Sequence, residues 1–321
     1  KRRPILIVAD LLRMALLGSI PVVWYFDALS IEQIYIVAFL HGLLTIFFDV
    51  AYRSYLPSLV GSKTLVEANS RLSASASAAE VGAFSLGGWI AQLFSAIVVT
   101  AVDSATFLVS ALLLFWIRRR EPVPVPADGT PSIRREIIAG LKLVIGNPIL
   151  RAIGVSKAAM GLAGGVFGTL IVLYGIDTLG FEPGVLGTIF AVGGISSILG
   201  ALNVGRLTRR FGLGRTLVTG FLIYGISGFL IPLARGPMLV AGAILASAQL
   251  FDFSITAFEV NEMSLRQSVT PQRLLGRVNA SMEVTTLGFQ LLGALLAGVL
   301  AETVGIRWAL FTGSSFMVLG G

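Results

Sequence analysis

The chain has 321 residues, one His, no Cys, 13% charged residues and a formal net charge of +7. A water-soluble domain carries roughly 25% charged residues; a mean hydropathy of +0.87 with 55% hydrophobic residues excludes one here. The lack of Cys rules out disulfide and thiolate chemistry, and the single His argues against a transition-metal site.

Along the chain, about ten stretches approach the length needed to cross a bilayer as a helix, which is ~20 apolar residues. They are Pro4–Tyr25, Ile31–Tyr52, Asn69–Leu93, Ile97–Ile117, Leu150–Thr178, Pro183–Val204, Thr216–Leu233, Met238–Phe258, Leu274–Ala301 and Gly305–Gly321. One long hydrophilic segment, Arg118–Pro148, divides four spans from six. Lys1-Arg2-Arg3 runs straight into a span of crossing length, so no cleavable signal peptide is expected.

The basic residues orient this array. Of 24 Lys and Arg, only Arg235 and Arg307 fall at the ends or loops of one side, and Arg13 and Lys157 lie within spans. All the rest share the other side, which the positive-inside rule assigns to the cytoplasm. Charge spread over short loops, rather than gathered on one face or tail, also excludes a nucleic-acid surface.

Within 118–148, residues Glu121–Pro131 are Pro-rich and read as extended and solvated. Ile133, Ile137, Ile138, Leu141, Val144 and Ile145 then recur at helical spacing, with Arg134, Arg135, Glu136 and Lys142 between them. This predicts an amphipathic helix on the cytoplasmic membrane surface; the alternative is a helix that docks on a partner.

A weak repeat supports the division. Leu65 and Asn69 match Leu275 and Asn279 at an offset of 210 residues, and Lys63 matches Arg273. Arg3 matches Arg215 at offset 212. Repeats of this kind are common in transporters. If six spans make a half, the first half lacks two at its start, so roughly sixty residues, two helices and a loop, are expected to be absent.

Several loop strings resemble the major facilitator superfamily, in its bacterial drug and siderophore efflux branch. Gly205-Arg-Leu-Thr-Arg-Arg-Phe-Gly-Leu-Gly-Arg215 is similar to the superfamily's cytoplasmic loop signature: Gly205, Leu207, Arg210 and Gly212 match, while Arg209 stands where the signature has Asp. Lys1-Arg2-Arg3 resembles the tail of the same signature. Arg266-Gln267, Thr270-Pro271 and Leu274–Ala280 resemble the loop before the superfamily's eleventh helix, and Leu56–Val60 with Leu65 and Ala68-Asn69 the loop before the fifth. Asp10-Leu-Leu-Arg13 and Asp103–Phe107 resemble its third and sixth helices. One departure is Ala83–Gly88, which lacks the Gly-Pro that antiporter members carry in the fifth helix.

The resemblance implies an all-α membrane bundle of twelve helices in two pseudo-symmetric six-helix halves around a central cavity, working by alternating access. The ten visible spans would be helices three to twelve. Residues 1–117 would form the N-terminal half, 118–148 the cytoplasmic linker and 149–321 the C-terminal half. The setting would be the bacterial inner membrane, and the protein a monomer without cofactor or metal.

A charge inside the bilayer costs at least ~2.5–3.5 kcal/mol, so each one calls for a reason. His41, in the fourth helix, and Asp252, in the tenth, stand at matched depth near mid-span. They are the best pair for substrate or proton binding, since His titrates near neutral pH; the alternative for His41 is a neutral imidazole hydrogen-bonded to a neighbouring helix. Glu80 and Gln290 share an offset of 210; Glu80 is a further candidate for proton exchange, or a polar lining residue without a coupling role. Glu283 is shallower. Lys157 is expected to snorkel to the interface. Asp10 with Arg13 and Asp49 with Arg53 read as pairs on one helix face. Arg206, Arg209, Arg210 and Arg215, with Gly205 and Gly212, resemble the superfamily's latch loop. Glu259 and Glu262 are expected to pair with Arg266 or with that loop, and Arg277 joins the gate candidates.

The leading expectation is a secondary transporter that exports a small amphipathic molecule against protons. The sequence holds no Gly-x-x-x-x-Gly-Lys-Ser/Thr string for nucleotide. An intramembrane enzyme would need a nucleophile–base pair or metal ligands that one His and no Cys do not offer. A non-transporting sensor or scaffold that keeps the fold, and a facilitator or importer of a small solute, remain as alternatives.

Overall fold

The computed structural model describes residues 2–60, 65–117, 133–271 and 274–321. Lys63, Arg273 and residues 118–132 lie outside them, as do the side chains of Arg53 and Glu80. The described elements are all helical: α1 (Arg2–Tyr25), α2 (Ile31–Val60), α3 (Leu65–Leu93), α4 (Ala96–Trp116), α5 (Ile133–Gly146), α6 (Pro148–Leu173), α7 (Pro183–Phe211), α8 (Leu213–Gly228), α9 (Leu230–Leu233), α10 (Met238–Gln249), α11 (Asp252–Val269), α12 (Leu275–Thr303) and α13 (Ile306–Leu319). A π-turn, Tyr174–Thr178, ends α6. Eight of the described helical runs are long and apolar enough to cross a membrane, and two shorter apolar helices, Val81–Leu93 and Ile306–Leu319, match the remaining expected spans.

The contacts divide the chain into two units, Lys1–Asp128 and Gly129–Gly321. In the first, α1 packs on α2 and α4. Gly18 leaves room for Ser104, whose hydroxyl donates to the Met14 carbonyl at 2.8 Å. Arg3 reaches the other end of α4, donating to the Leu114 carbonyl at 3.0 Å and to that of Phe115. The last carbonyls of a helix lack their full set of backbone donors, so a basic side chain there helps to close the helix end; the Leu114 carbonyl also accepts from the Ile117 amide at 3.3 Å.

In the second unit α6 and α12 make the most extensive contact. Gly161 lies against the Thr286 carbonyl, Gly165 against that of Gln290, and Gly293 against that of Leu162. Apolar side chains gain little by leaving lipid for protein, so helices there associate through close backbone approach, which small residues permit. Asn147 caps α6 by accepting from the amides of Ile149 and Leu150, with Pro148 supplying a favourable first turn. The linker helix α5 belongs to this unit. Its Val144 is buried with Leu150, Ile153, Val278 and Met282, and Gly140 rests on the Arg277 carbonyl and the Ser281 hydroxyl. Of the apolar pattern residues whose side chains are described, Val144 packs on α6 and α12, while Leu141 and Ile145 stay exposed.

In the first unit α2 runs past its expected end to Val60 and α3 starts early at Leu65, and in the second unit three spans differ from their sequence limits in kind. The helix begun at Pro183 runs on through Arg209 and Arg210 to Phe211, because helical hydrogen bonding continues where hydropathy stops. The span read as 216–233 breaks at Phe229, because in a continuous helix Pro232 would clash with the carbonyl of Gly228, four residues before it. The span begun at Met238 is interrupted between Gln249 and Asp252 and then extends to Val269.

Gly165→Leu should lower the thermal stability of the detergent-purified protein by about 1–3 kcal/mol, the range for overpacking. Gly164→Leu, next to it but with open space around its α-carbon, should leave the melting curve where it is. Equal melting of the two variants would remove the close α6–α12 contact as a source of stability.

Candidate functional site

Among the described residues, three places within the spans bring ionisable groups together or set one at a break in the helix. In the first unit, Asp10 and Arg13 are 1% and 5% exposed, eight to eleven residues into α1. Arg13 donates from Nη2 to Asp10 Oδ1. The other carboxylate oxygen accepts from the Ser110 hydroxyl at 2.6 Å. The guanidinium lies 4.2 Å from the Phe48 ring centroid and 4.5 Å from that of Phe107, a cation–π arrangement worth more when water is excluded. His41 meets the same Phe107 edge-on at 5.5 Å, and its buried Nε2 has no hydrogen-bond partner. The expected Asp10–Arg13 pair is thus present, and it sits in one cluster with His41. The two phenylalanines that join them carry no signal distinguishing them from lipid-facing Phe. Asp49 is exposed, and its expected partner, the Arg53 side chain, lies outside the described residues, as does that of Glu80.

In the second unit Glu262 is 1% exposed. Arg266 Nε lies 3.3 Å from its Oε1 and Lys157 Nζ 3.7 Å from its Oε2. The expected Glu262–Arg266 pair is present. Lys157 does not snorkel: a buried carboxylate on α11 lies within its reach from α6, and leaving that carboxylate for the interface would strip a buried charge of one partner. Glu259 is exposed.

The third place is the interruption between α10 and α11, at the middle of the span Met238–Val269. Asp252 opens α11, its carboxyl lying against Gly193 of α7, where a Cβ would collide with Oδ2. Ser196, one turn along α7, donates to the Leu250 carbonyl at 2.5 Å and accepts from the Phe253 amide at 3.1 Å. Beside it runs an apolar cleft of about 380 Å³ lined by Val192, Ile195, Leu199, Asn203, Leu207 and Phe253. The sequence reading found Asp252 but missed Ser196 and the interruption. Gln249 and Asp252 within an apolar run were the available signal.

The remaining candidates are exposed or half-buried within their unit. Gln290 and Glu283 are exposed on α12, and Arg277 is half-buried at its start. Gly205, Arg206 and Arg209 occupy the last turns of α7, with Arg206 donating to Asn203 at 3.0 Å. Arg210 and Arg215 are exposed on either side of Gly212, whose φ of +84° turns the chain from α7 into α8 and suits only glycine without strain. Thr208, inside the same string, donates to Asn261 of α11 at 2.9 Å, which ties this loop to the helix carrying Glu262.

Spans with ionisable groups at mid-depth define a polytopic α-helical membrane protein built for more than anchoring. The sequence profile of the Major Facilitator Superfamily matches residues 1–286, and the chain belongs to that family. It is 30% identical over 258 residues to the MFS-type transporter y4rN of Sinorhizobium fredii, covering 77% of this chain and 60% of that protein. It is 28% identical over 319 residues to the multidrug efflux pump Tap of Mycolicibacterium fortuitum, covering 95% and 75%. Identity to the enterobactin exporter EntS of Shigella dysenteriae is 22%, over 91% and 68%. The chain therefore spans about 60% of the length of y4rN and larger shares of the others. Among solved structures it superposes on a bacterial homologue of the iron transporter ferroportin in an inward-facing state, with a TM-score of 0.74 at 17% identity over 99% of this chain and 80% of that one. It also superposes on the nucleoside transporter NupG, at 0.78 and 12% over 100% and 82%. These likenesses support the helical fold.

Glu262→Gln should destabilise the protein by up to about 3 kcal/mol, because it removes the buried charge that balances two partly buried cations. Replacing all three partners, as Lys157→Met, Glu262→Leu and Arg266→Met together, should recover most of that loss in a thermal melt. A triple variant weaker than the single one would show that the cluster is worth more than its desolvation cost.

Proposed function

We propose that this protein is a proton-coupled exporter of a small amphipathic molecule, working by alternating access in the bacterial inner membrane. The observation that carries the reading is the pair of ionisable sites at mid-span, one in each unit: His41 beside the Asp10–Arg13 pair, and Asp252 at a helix interruption. An intramembrane ionisable residue is expensive and by default functional, and interrupted helices are a common framework for transporter sites. The relatives named as a multidrug efflux pump and an enterobactin exporter support export as the direction.

In this reading His41, Glu80 and Asp252 bind substrate or exchange protons, and Gln290 and Glu283 line the path. Residues 1–117 and 149–321 are the two moving halves, and the linker 118–148 faces the cytoplasm. The loop Gly205–Arg215, with Asp49, Arg53, Glu259, Glu262, Arg266 and Arg277, acts as the cytoplasmic gate. Thr208 and Asn261 support that role by joining the loop to α11. Partners are the cargo, protons and the lipid bilayer; the protein acts as a monomer, without enzymatic activity.

Ethidium, a small amphipathic cation, is a suitable probe. The full-length protein in proteoliposomes should drive ethidium transport under an imposed pH gradient and stop when nigericin collapses it; transport indifferent to nigericin would sink proton exchange. Asp252→Asn and His41→Gln should each slow transport about tenfold or more, the scale of one lost contact to a charged group. Wild-type rates in both would move the site elsewhere.

A further inference from the structure

Ser196 makes no contact expected of a transport residue, yet it holds the one place where α10 and α11 part. A continuous helix would bond the Leu250 carbonyl to the amide of residue 254 and the Phe253 amide to the carbonyl of residue 249. Here the Ser254 amide donates to the Phe251 carbonyl instead, at 2.9 Å. The freed Leu250 carbonyl and Phe253 amide both turn to the Ser196 hydroxyl, which donates to one and accepts from the other. Ser196 is 4% exposed, so its hydroxyl is available to these two backbone groups and little else.

The neighbouring turns of α7 fit the same surface. Gly193, one turn before, leaves the space that the Asp252 carboxyl fills; Gly200, one turn after, lets the Phe253 backbone approach, where a Cβ would lie 2.5 Å from its carbonyl oxygen. Bonds to residues 250 and 253 bracket Asp252. A hydroxyl fixed on α7 thus sets where α11 begins, and with it the depth and direction of the carboxylate.

We infer that Ser196 is a positioning residue: its hydroxyl staples the α10–α11 interruption and so holds Asp252 against Gly193. The inference rests on the reading of Asp252 as a substrate- or proton-binding residue. Without the hydroxyl, two backbone groups lose their partner and α11 can start elsewhere, so the carboxylate leaves its glycine-lined seat. Threonine keeps the hydroxyl and should keep the staple.

The test uses the full chain in nanodiscs with two readouts that need no cargo. Hydrogen exchange at the Phe253 amide should be about tenfold faster in Ser196→Ala, the effect of one lost hydrogen bond, and near wild type in Ser196→Thr. Labelling of Asp252 by dicyclohexylcarbodiimide, followed by mass spectrometry, should change rate in Ser196→Ala and return in Ser196→Thr. Gly193→Ala pushes the carboxyl from its seat without touching the staple; it should alter labelling while leaving Phe253 exchange unchanged, and it serves if Ser196→Ala does not fold. Wild-type exchange and labelling in Ser196→Ala would overturn the inference. So would faster exchange with unchanged labelling, or unchanged labelling in Gly193→Ala. Ethidium transport by Asp252→Asn is the separate arm: wild-type transport there defeats the reading of Asp252, while the labelling still decides whether Ser196 positions it.

Discussion

A backbone amide or carbonyl inside a bilayer has no water to bond, and leaving it bare costs several kcal/mol. Long helices satisfy this within themselves, and each interruption recruits a neighbour. At the end of α9, Arg307 of α13 donates to the Pro232 carbonyl at 2.7 Å and Tyr174 of the π-turn to that of Ala234 at 3.0 Å. At the end of α4 it is Arg3. Between α10 and α11 it is Ser196. These polar side chains act less as stabilising contacts of their own than as conditions for the backbone being where it is.

Once the backbone is satisfied, packing decides which helices touch. Glycine serves two different ends here. On α6 and α12, Gly161, Gly165 and Gly293 bring backbone onto backbone. On α7, Gly193 opens a space occupied by a carboxylate. The first use gives a rigid pair suited to move as a body; the second creates a polar site within an apolar bundle. Sequence spacing alone does not separate them, since both read as small residues in an apolar run.

That difference marks the limit of what the sequence held. Hydropathy length and loop charge suffice for the spans, because they depend only on residues adjacent in sequence. Gly212 was readable as a turn within its string for the same reason, and Asp10 with Arg13 because their partner is three residues away. The interruption at residues 250–251 was not, since its compensation comes from Ser196, more than fifty residues earlier. Lys157 reads as an interfacial lysine until Glu262 is placed beside it. The docking of α5 depends on Gly140 meeting α12, and an amphipathic pattern does not say whether its apolar face meets lipid or protein.

The three charged places differ in what could displace them. Asp10 and Arg13 share one helix, so their pair survives any rigid movement of α1, and Ser110 and two phenylalanines only refine it. Glu262 is held by cations on α6 and α11 and persists as long as those helices stay together; because one carboxylate serves two cations, sliding either helix exposes an unbalanced charge, and the cluster resists such motion. Asp252 belongs to neither case. It opens a helix whose start is held by the Ser196 hydroxyl on α7, so a change at that start carries the carboxylate with it. A group required to alternate between two environments is best placed where the backbone is already interrupted, because there the rearrangement exchanges few hydrogen bonds for few.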